Sequence, residues 1–371
     1  MSDKNITFFL GANTPKGFVS EFSQLYNPFD SWSMYILKGG PGTGKSGIMK
    51  RVASKAEELG LYHENIICSS DPDSFDAVII PEIKFAIADG TSPHTIEPKF
   101  PGAVEEIVNL GDCWNGEMLR ARADKIREAT LTCSELHRRS VRFLNAAASL
   151  QNDTVRLLQN SADKGKIENY AARFAAREFG SPKGRIGTEK RRYLSAPTPK
   201  GIFTCFETVE ALAERIVVID DPYCAVSPLL LEILRSRAIS LGFDVITCLN
   251  PFSGENEIVH LIIPEKSLAI FTFTPWHQSA FTPYRRINVK RFLQTDEIAR
   301  YRGRISFNSK ASAELLGEAV TILATTKKAH DLLESYYVPA MNFGKIDRKA
   351  DAIIRVLNLR AAMHFSGETK K

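Results

Sequence analysis

The run Met34-Tyr35-Ile36-Leu37, followed closely by Gly39-Gly40-Pro41-Gly42-Thr43-Gly44-Lys45-Ser46, decides how the chain is read. Its second part matches G-x-x-x-x-G-K-[ST], a loop that turns from a strand into a helix and aims backbone N–H groups at an anion. The setting fits. Residues 34–37 read as a buried strand, and Ile48, Met49, Val52, Ala53, Ala56 and Leu59 recur at helical spacing until Gly60 stops the helix. In such a loop the Lys45 ammonium reaches the β/γ-phosphates and the Ser46 hydroxyl ligates Mg²⁺. A glycine-rich turn without a ligand would use neither group, so the expected occupant is a nucleoside triphosphate with Mg²⁺.

Downstream, Asn65-Ile66-Ile67-Cys68 reads as a second strand, and Ser69-Ser70-Asp71-Pro72-Asp73-Ser74 as a polar loop leaving its carboxyl end. Phe85-Ala86-Ile87-Ala88-Asp89-Gly90 is a further largely apolar run ending in an acid, the place where P-loop proteins hold their metal-organising aspartate. Asp89 therefore has two readings: a Mg²⁺-organising carboxylate beside Ser46, or a cap on the turn at Gly90.

The chain repeats itself. Thr14-Pro15-Lys16-Gly17 recurs as Thr198-Pro199-Lys200-Gly201, and residues 78–94 match residues 261–277 at eight of seventeen positions. Glu58-Leu59-Gly60 is answered by Ser240-Leu241-Gly242, and Gly165-Lys166-Ile167 by Gly344-Lys345-Ile346. Two copies of one unit therefore fill most of the chain. In the second copy the 39–46 loop becomes Asp221-Pro222-Tyr223-Cys224-Ala225-Val226-Ser227-Pro228. Lys45 is replaced by Ser227, no glycine remains, and Asp221 puts negative charge where a phosphate would sit. Asp89 is answered by Thr272. The pattern keeps strands and helix but loses the phosphate chemistry.

These observations give an expected fold: α/β, two tandem P-loop NTPase-like domains with helical additions, the second degenerate. The expected bounds are 1–180 for the intact domain, 181–192 for a basic linker or mobile loop rich in Gly, Pro and charge, and 193–371 for the degenerate repeat. Apolar residues every three or four positions over 115–150 predict a long amphipathic helix, with a second helix over 166–178 and similar stripes over 310–334 and 347–363.

No general base is singled out, because Gly90 follows Asp89 where many ATPases carry glutamate. The candidates are Glu82, Asp71, Asp73, Asp76 and His94. Asp71 and Asp73 leave the second strand, where small-molecule kinases often place an acid, and Asp73 joins Lys45 and Asp89 in the expected catalytic set; turn capping explains the same two residues. His94 and His277, like Glu82 and Glu265, persist in the copy that has lost its loop, which favours roles in the fold. The basic run 284–291 admits two readings, an arginine reaching the first site and a solvated surface.

At 371 residues, with 44% hydrophobic and 25% charged residues, the composition is that of a soluble globular protein of two domains. No apolar run is long enough for a membrane helix, and the first residues carry no signal-peptide pattern, so a cytoplasmic location is expected. A net charge of +5 is modest for a nucleic-acid binder, and the six scattered cysteines show no C-x-x-C pair.

Together, Thr-Pro-Lys-Gly before a GGPGTGKS loop, Asp-Pro-Asp-Ser, Ile-Ile-Pro-Glu and Asp-Gly-Thr-x-Pro-His, in two tandem copies, resemble an uncharacterised bacterial tandem P-loop ATPase family found mainly in Gram-positive species. The resemblance covers nearly the full chain and implies the P-loop fold in both halves and ATP binding at residues 39–46. It transfers no substrate or pathway. The function expected is an ATPase coupling hydrolysis to motion between the repeats, with two alternatives: a nucleotide or small-molecule kinase using Asp71 or Asp73, and an ATP sensor without turnover.

Overall fold

The computed structural model describes residues 6–253, 256–276 and 282–367. The first half runs β1 (Ile6–Phe8), β2 (Gly11–Thr14), β3 (Gly17–Ser20), β4 (Ser33–Lys38), α1 (Lys45–Glu58), β5 (Glu64–Cys68), β6 (Asp71–Ile80), β7 (Phe85–Asp89), β8 (Glu105–Asn109), α2 (Gly116–Arg120), α3 (Ala123–Asn160) and α4 (Lys164–Glu178). The second runs β9 (Glu189–Arg192), β10 (Ser195–Thr198), β11 (Gly201–Thr204), α5 (Phe206–Leu212), β12 (Arg215–Asp220), α6 (Ser227–Ser240), β13 (Val245–Leu249), β14 (Ile258–Ile263), β15 (Leu268–Phe273), β16 (Arg285–Asn288), α7 (Thr295–Arg300), α8 (Arg302–Tyr337) and α9 (Phe343–Ser366).

Two six-stranded sheets result, ordered β1-β5-β6-β7-β4-β8 and β9-β13-β14-β15-β12-β16, so the internal repeat is a repeat of topology as well as of sequence. In each, the strand next to one edge (β4 or β12) runs parallel to both neighbours, while β6 and β14 run antiparallel to theirs. Met34, Tyr35, Ile36 and Leu37 are all buried, as are Ile216, Val217, Val218 and Ile219. Strands covered on both faces read as unbroken apolar runs, which is why they were visible in the sequence.

The halves form one packed body. Phe9 and Tyr193, just beyond the edge strands β1 and β9, exchange both backbone hydrogen bonds at 2.9 Å. Around this bridge a single core combines Phe8, Phe9 and Leu10 with Leu194, Val218 and Phe271. The helices then cross over. α3 lies along α8, α4 packs on α6 of the second sheet, and α9 packs on α1 of the first. Ile346, Ala350, Ile353, Leu357 and Ala361 of α9, at helical spacing, complete the core under α1; Ile167, Ala171, Phe174 and Ala175 of α4 do the same under α6. Matching backbone bonds secure the two crossings: Asn115 N to Ala340 O (2.8 Å) and Gln294 N to Ser161 O (2.9 Å).

Several expectations change in detail. The basic 181–192 stretch is not all linker: Glu189–Arg192 is the edge strand β9, paired parallel with β13. Arg192 is buried because it meets the buried Glu64 of β5, with Nη2 to Oε2 at 2.8 Å. Asp71 to Ser74 begin the long strand β6, turned back on β5 after a two-residue bend, instead of forming a loop. The helix expected over 115–150 divides into α2 and the longer α3. His277 lies outside the described residues. Among the described residues no helix is long and apolar enough to cross a membrane.

Candidate functional site

Residues 39–44 leave the carboxyl end of β4 and turn into α1, whose first residue is Lys45. Gly42 (φ +65°) and Gly44 (φ +87°) hold left-handed backbone, which explains glycine at both. The Thr43 hydroxyl donates to Gly40 O at 2.8 Å, folding the loop on itself. Lys45 Nζ curls over the loop, donating to Gly39 O and Gly40 O at 2.9 Å each, and stands 3.5 Å from Asp89 Oδ2. Strand register produces that meeting, since Asp89 of β7 pairs with Leu37 of β4 beside the loop.

The turn-capping reading of Asp89 is realised through one oxygen, and the other oxygen is left facing Lys45. Oδ1 accepts from Thr91 N (2.8 Å) and the Thr91 hydroxyl (2.6 Å), capping the turn, while Oδ2 faces Lys45. Ser46 sits in the first turn of α1, its Oγ accepting from Phe75 N at 3.0 Å. A hydroxyl and a carboxylate oxygen flanking a lysine are hard donors, a set that fits Mg²⁺. Asp73 is placed elsewhere: its exposed carboxylate accepts from Lys200 Nζ at 2.6 Å. Asp71 lies 3.6 Å from Lys327 of α8. Both lysines belong to the second half.

Of the candidate acids Asp71, Asp73, Asp76 and Glu82, Asp76 is the one that the fold buries. Ala77 of β6 faces Ala88 of β7, so the next pair outward is Asp76 and Asp89. Burial pushes the Asp76 carboxyl up to about 6, Asp89 adding to the rise, against the opposing charges of His94 and Lys45. His94 Nε2 is 3.3 Å from Asp76 Oδ2, and its ring is held between Phe18 and Phe22, each 4.8 Å away by centroid. Cys68, the last residue of β5, completes this cluster. Burial drives its thiol well above the ordinary range.

The second half also touches the loop directly, which no local signal in the sequence announced. Glu334 Oε1 accepts from Gly42 N at 3.3 Å. A Cβ on Gly40 would stand 2.9 Å from the Tyr337 ring, and one on Gly42 2.9 Å from Val338, so the end of α8 is seated on the loop. The run 284–291, by contrast, lies on the far edge of the second sheet. There Arg285 bonds to Glu178 (3.3 Å) and Arg286 to Asp220 (2.6 Å).

At the equivalent position of the second half, Asp221 occupies the start of α6. Its buried Oδ2 accepts from Val226 N (2.8 Å) and Ser227 N (2.7 Å). Those donors align with Gly44 N and Lys45 N, which meet no side-chain acceptor among the described residues. Beside it a cleft is lined by Tyr223, Cys224, Asn250, Phe252, Trp276 and Asn308, with no lysine or arginine among the described residues. Comparison with known proteins found no match: no family model, no curated protein and no solved structure is similar to the chain at the level that counts as one.

Proposed function

We propose that the chain binds a Mg²⁺–nucleoside triphosphate, ATP as the expected one, at residues 39–46 and hydrolyses it to drive motion between its two halves. The observation that carries this reading is the meeting of Lys45 and Asp89 over a glycine loop on which α8 of the second half is seated. Lys45 would leave its carbonyl partners to bind the phosphoryl oxygens, while Ser46 and Asp89 would hold Mg²⁺. The bound ion supplies charge neutralisation. The chain's own contribution is to fix the lysine, the hydroxyl and the carboxylate around one point.

The second half would not bind nucleotide, because its helix N–H groups already hold the Asp221 carboxylate and, among the described residues, its cleft offers no cation for phosphate. Coupling would run through α8: Glu334 is an anion on a loop N–H, so a phosphate arriving there and Glu334 repel each other. Asp71 and Asp73, the acids a kinase reading needs, are both engaged by lysines of the second half, which favours hydrolysis over transfer.

Phosphate release from Mg²⁺–ATP tests the proposal. Wild type should turn over, Lys45→Ala should lose on the order of 100-fold or more, and Ser227→Ala should keep the wild-type rate. Tight binding with no phosphate released would overturn the hydrolysis, and an unimpaired Lys45→Ala would overturn the site.

A further inference from the structure

We propose that Cys68, Asp76 and His94 form a site for a divalent transition metal of the zinc class, distinct in donor chemistry from the oxygen set at Ser46 and Asp89. The cluster is built by topology. Adjacent strands β5, β6 and β7 bring to one end of the first sheet the final residue of β5, a residue of β6 and the segment following β7. A ring nitrogen of His94, a carboxylate oxygen of Asp76 and the Cys68 sulfur all lie within 4.8 Å of one another. Zinc ligands at about 2.0–2.3 Å in a tetrahedron stand roughly 3.3–3.8 Å apart. The His94–Asp76 separation of 3.3 Å is already such an edge.

Two further observations point to a ligand rather than to a closed hydrogen-bond network. Asp76 Oδ2 is buried and faces the His94 ring at 3.3 Å without making a hydrogen bond, and buried polar atoms are ordinarily satisfied. Two of the three residues are also particular to one half. The second sheet carries Asn250 and Val259 where the first has Cys68 and Asp76, so those two positions offer neither thiolate nor carboxylate.

The charges balance. A dication with one thiolate, one carboxylate and a neutral imidazole is neutral, the condition under which a buried site is affordable. On binding, the Cys68 S–H bond breaks, its proton leaves to solvent and the sulfur electron pair goes to the metal; nothing is oxidised. Three protein ligands leave a fourth position for water. The site does not depend on the nucleotide reading, because none of the three belongs to the 39–46 loop.

Cobalt is the probe, since a thiolate ligand gives Co²⁺ an intense near-ultraviolet charge-transfer band that oxygen and nitrogen ligands do not. Metal-stripped wild-type protein titrated with Co²⁺ should develop that band at one equivalent per chain, and Zn²⁺ should erase it. Cys133→Ser should give the same band as wild type. Cys68→Ser should lose the band, and His94→Ala should weaken Co²⁺ binding on the order of 100-fold or more. The wild-type result does not depend on whether any variant folds. Absence of the band from folded wild type, or its survival in Cys68→Ser, would overturn the proposal.

Discussion

At the residue scale, the two halves differ most clearly in what answers the helix N-terminus. In the first half two left-handed glycines turn the chain so that Lys45 and Ser46 open α1. In the second, Asp221 reaches back to the N–H groups of Val226 and Ser227. Removing that carboxylate leaves two donors without it at a helix start, so Asp221→Ala should cost about 1–2 kcal/mol of stability, measured by urea unfolding. Turnover per folded molecule should be unchanged. Sequence comparison identified Asp221 as negative charge at a phosphate position; that it caps the helix became visible only with its backbone partners in place. Lys45, Ser46 and Asp89 were legible because a short local pattern specifies them. Asp76 stood among five candidate acids and bases with nothing to rank it, since its distinction is burial opposite Asp89, a consequence of β6–β7 register.

At the scale of elements, the strands and most helices followed from periodicity, whereas the partners of the helices did not. An amphipathic stripe such as Ile346, Ala350, Ile353 and Leu357 states that one face is covered without saying by which sheet. The answer, that α9 covers the first sheet and α4 the second, rests on the paired α3–α8 crossing. It also explains why Glu334, 292 residues beyond Gly42, reaches the loop. If that contact opposes phosphate, Glu334→Gln should tighten Mg²⁺–ATP binding about three- to tenfold, since two charges about 4 Å apart and screened as in water interact by roughly 1 kcal/mol, and the Glu334 side chain is partly exposed. Equilibrium binding at fixed salt measures this, with weaker binding the contrary result.

At the scale of the whole molecule, the halves are joined by an ion pair that water does not reach. Burial alone would raise the Glu64 carboxyl, but Arg192 and Lys190 bring it from 4.5 down to about 2. A carboxyl lowered in the folded state contributes stability that is complete above the unfolded value and lost as pH falls toward the folded one. Acid should therefore remove on the order of 3 kcal/mol between about pH 4.5 and 2, and Glu64→Gln should flatten this group's share of that decline. The same variant should cost about 3–5 kcal/mol at neutral pH, because Arg192 is left buried without its partner. Denaturant unfolding across that pH range reads both effects. A joint of this kind keeps the halves attached at one place while the proposed motion changes the contact of α8 with the loop.

The central claim is that this two-copy chain carries one nucleotide site, in its first half. Calorimetric titration of the chain with Mg²⁺–ATP tests it most directly. The account predicts one equivalent bound per chain, abolished by Lys45→Ala and untouched by Ser227→Ala. Two equivalents, or one that survives Lys45→Ala, would contradict it.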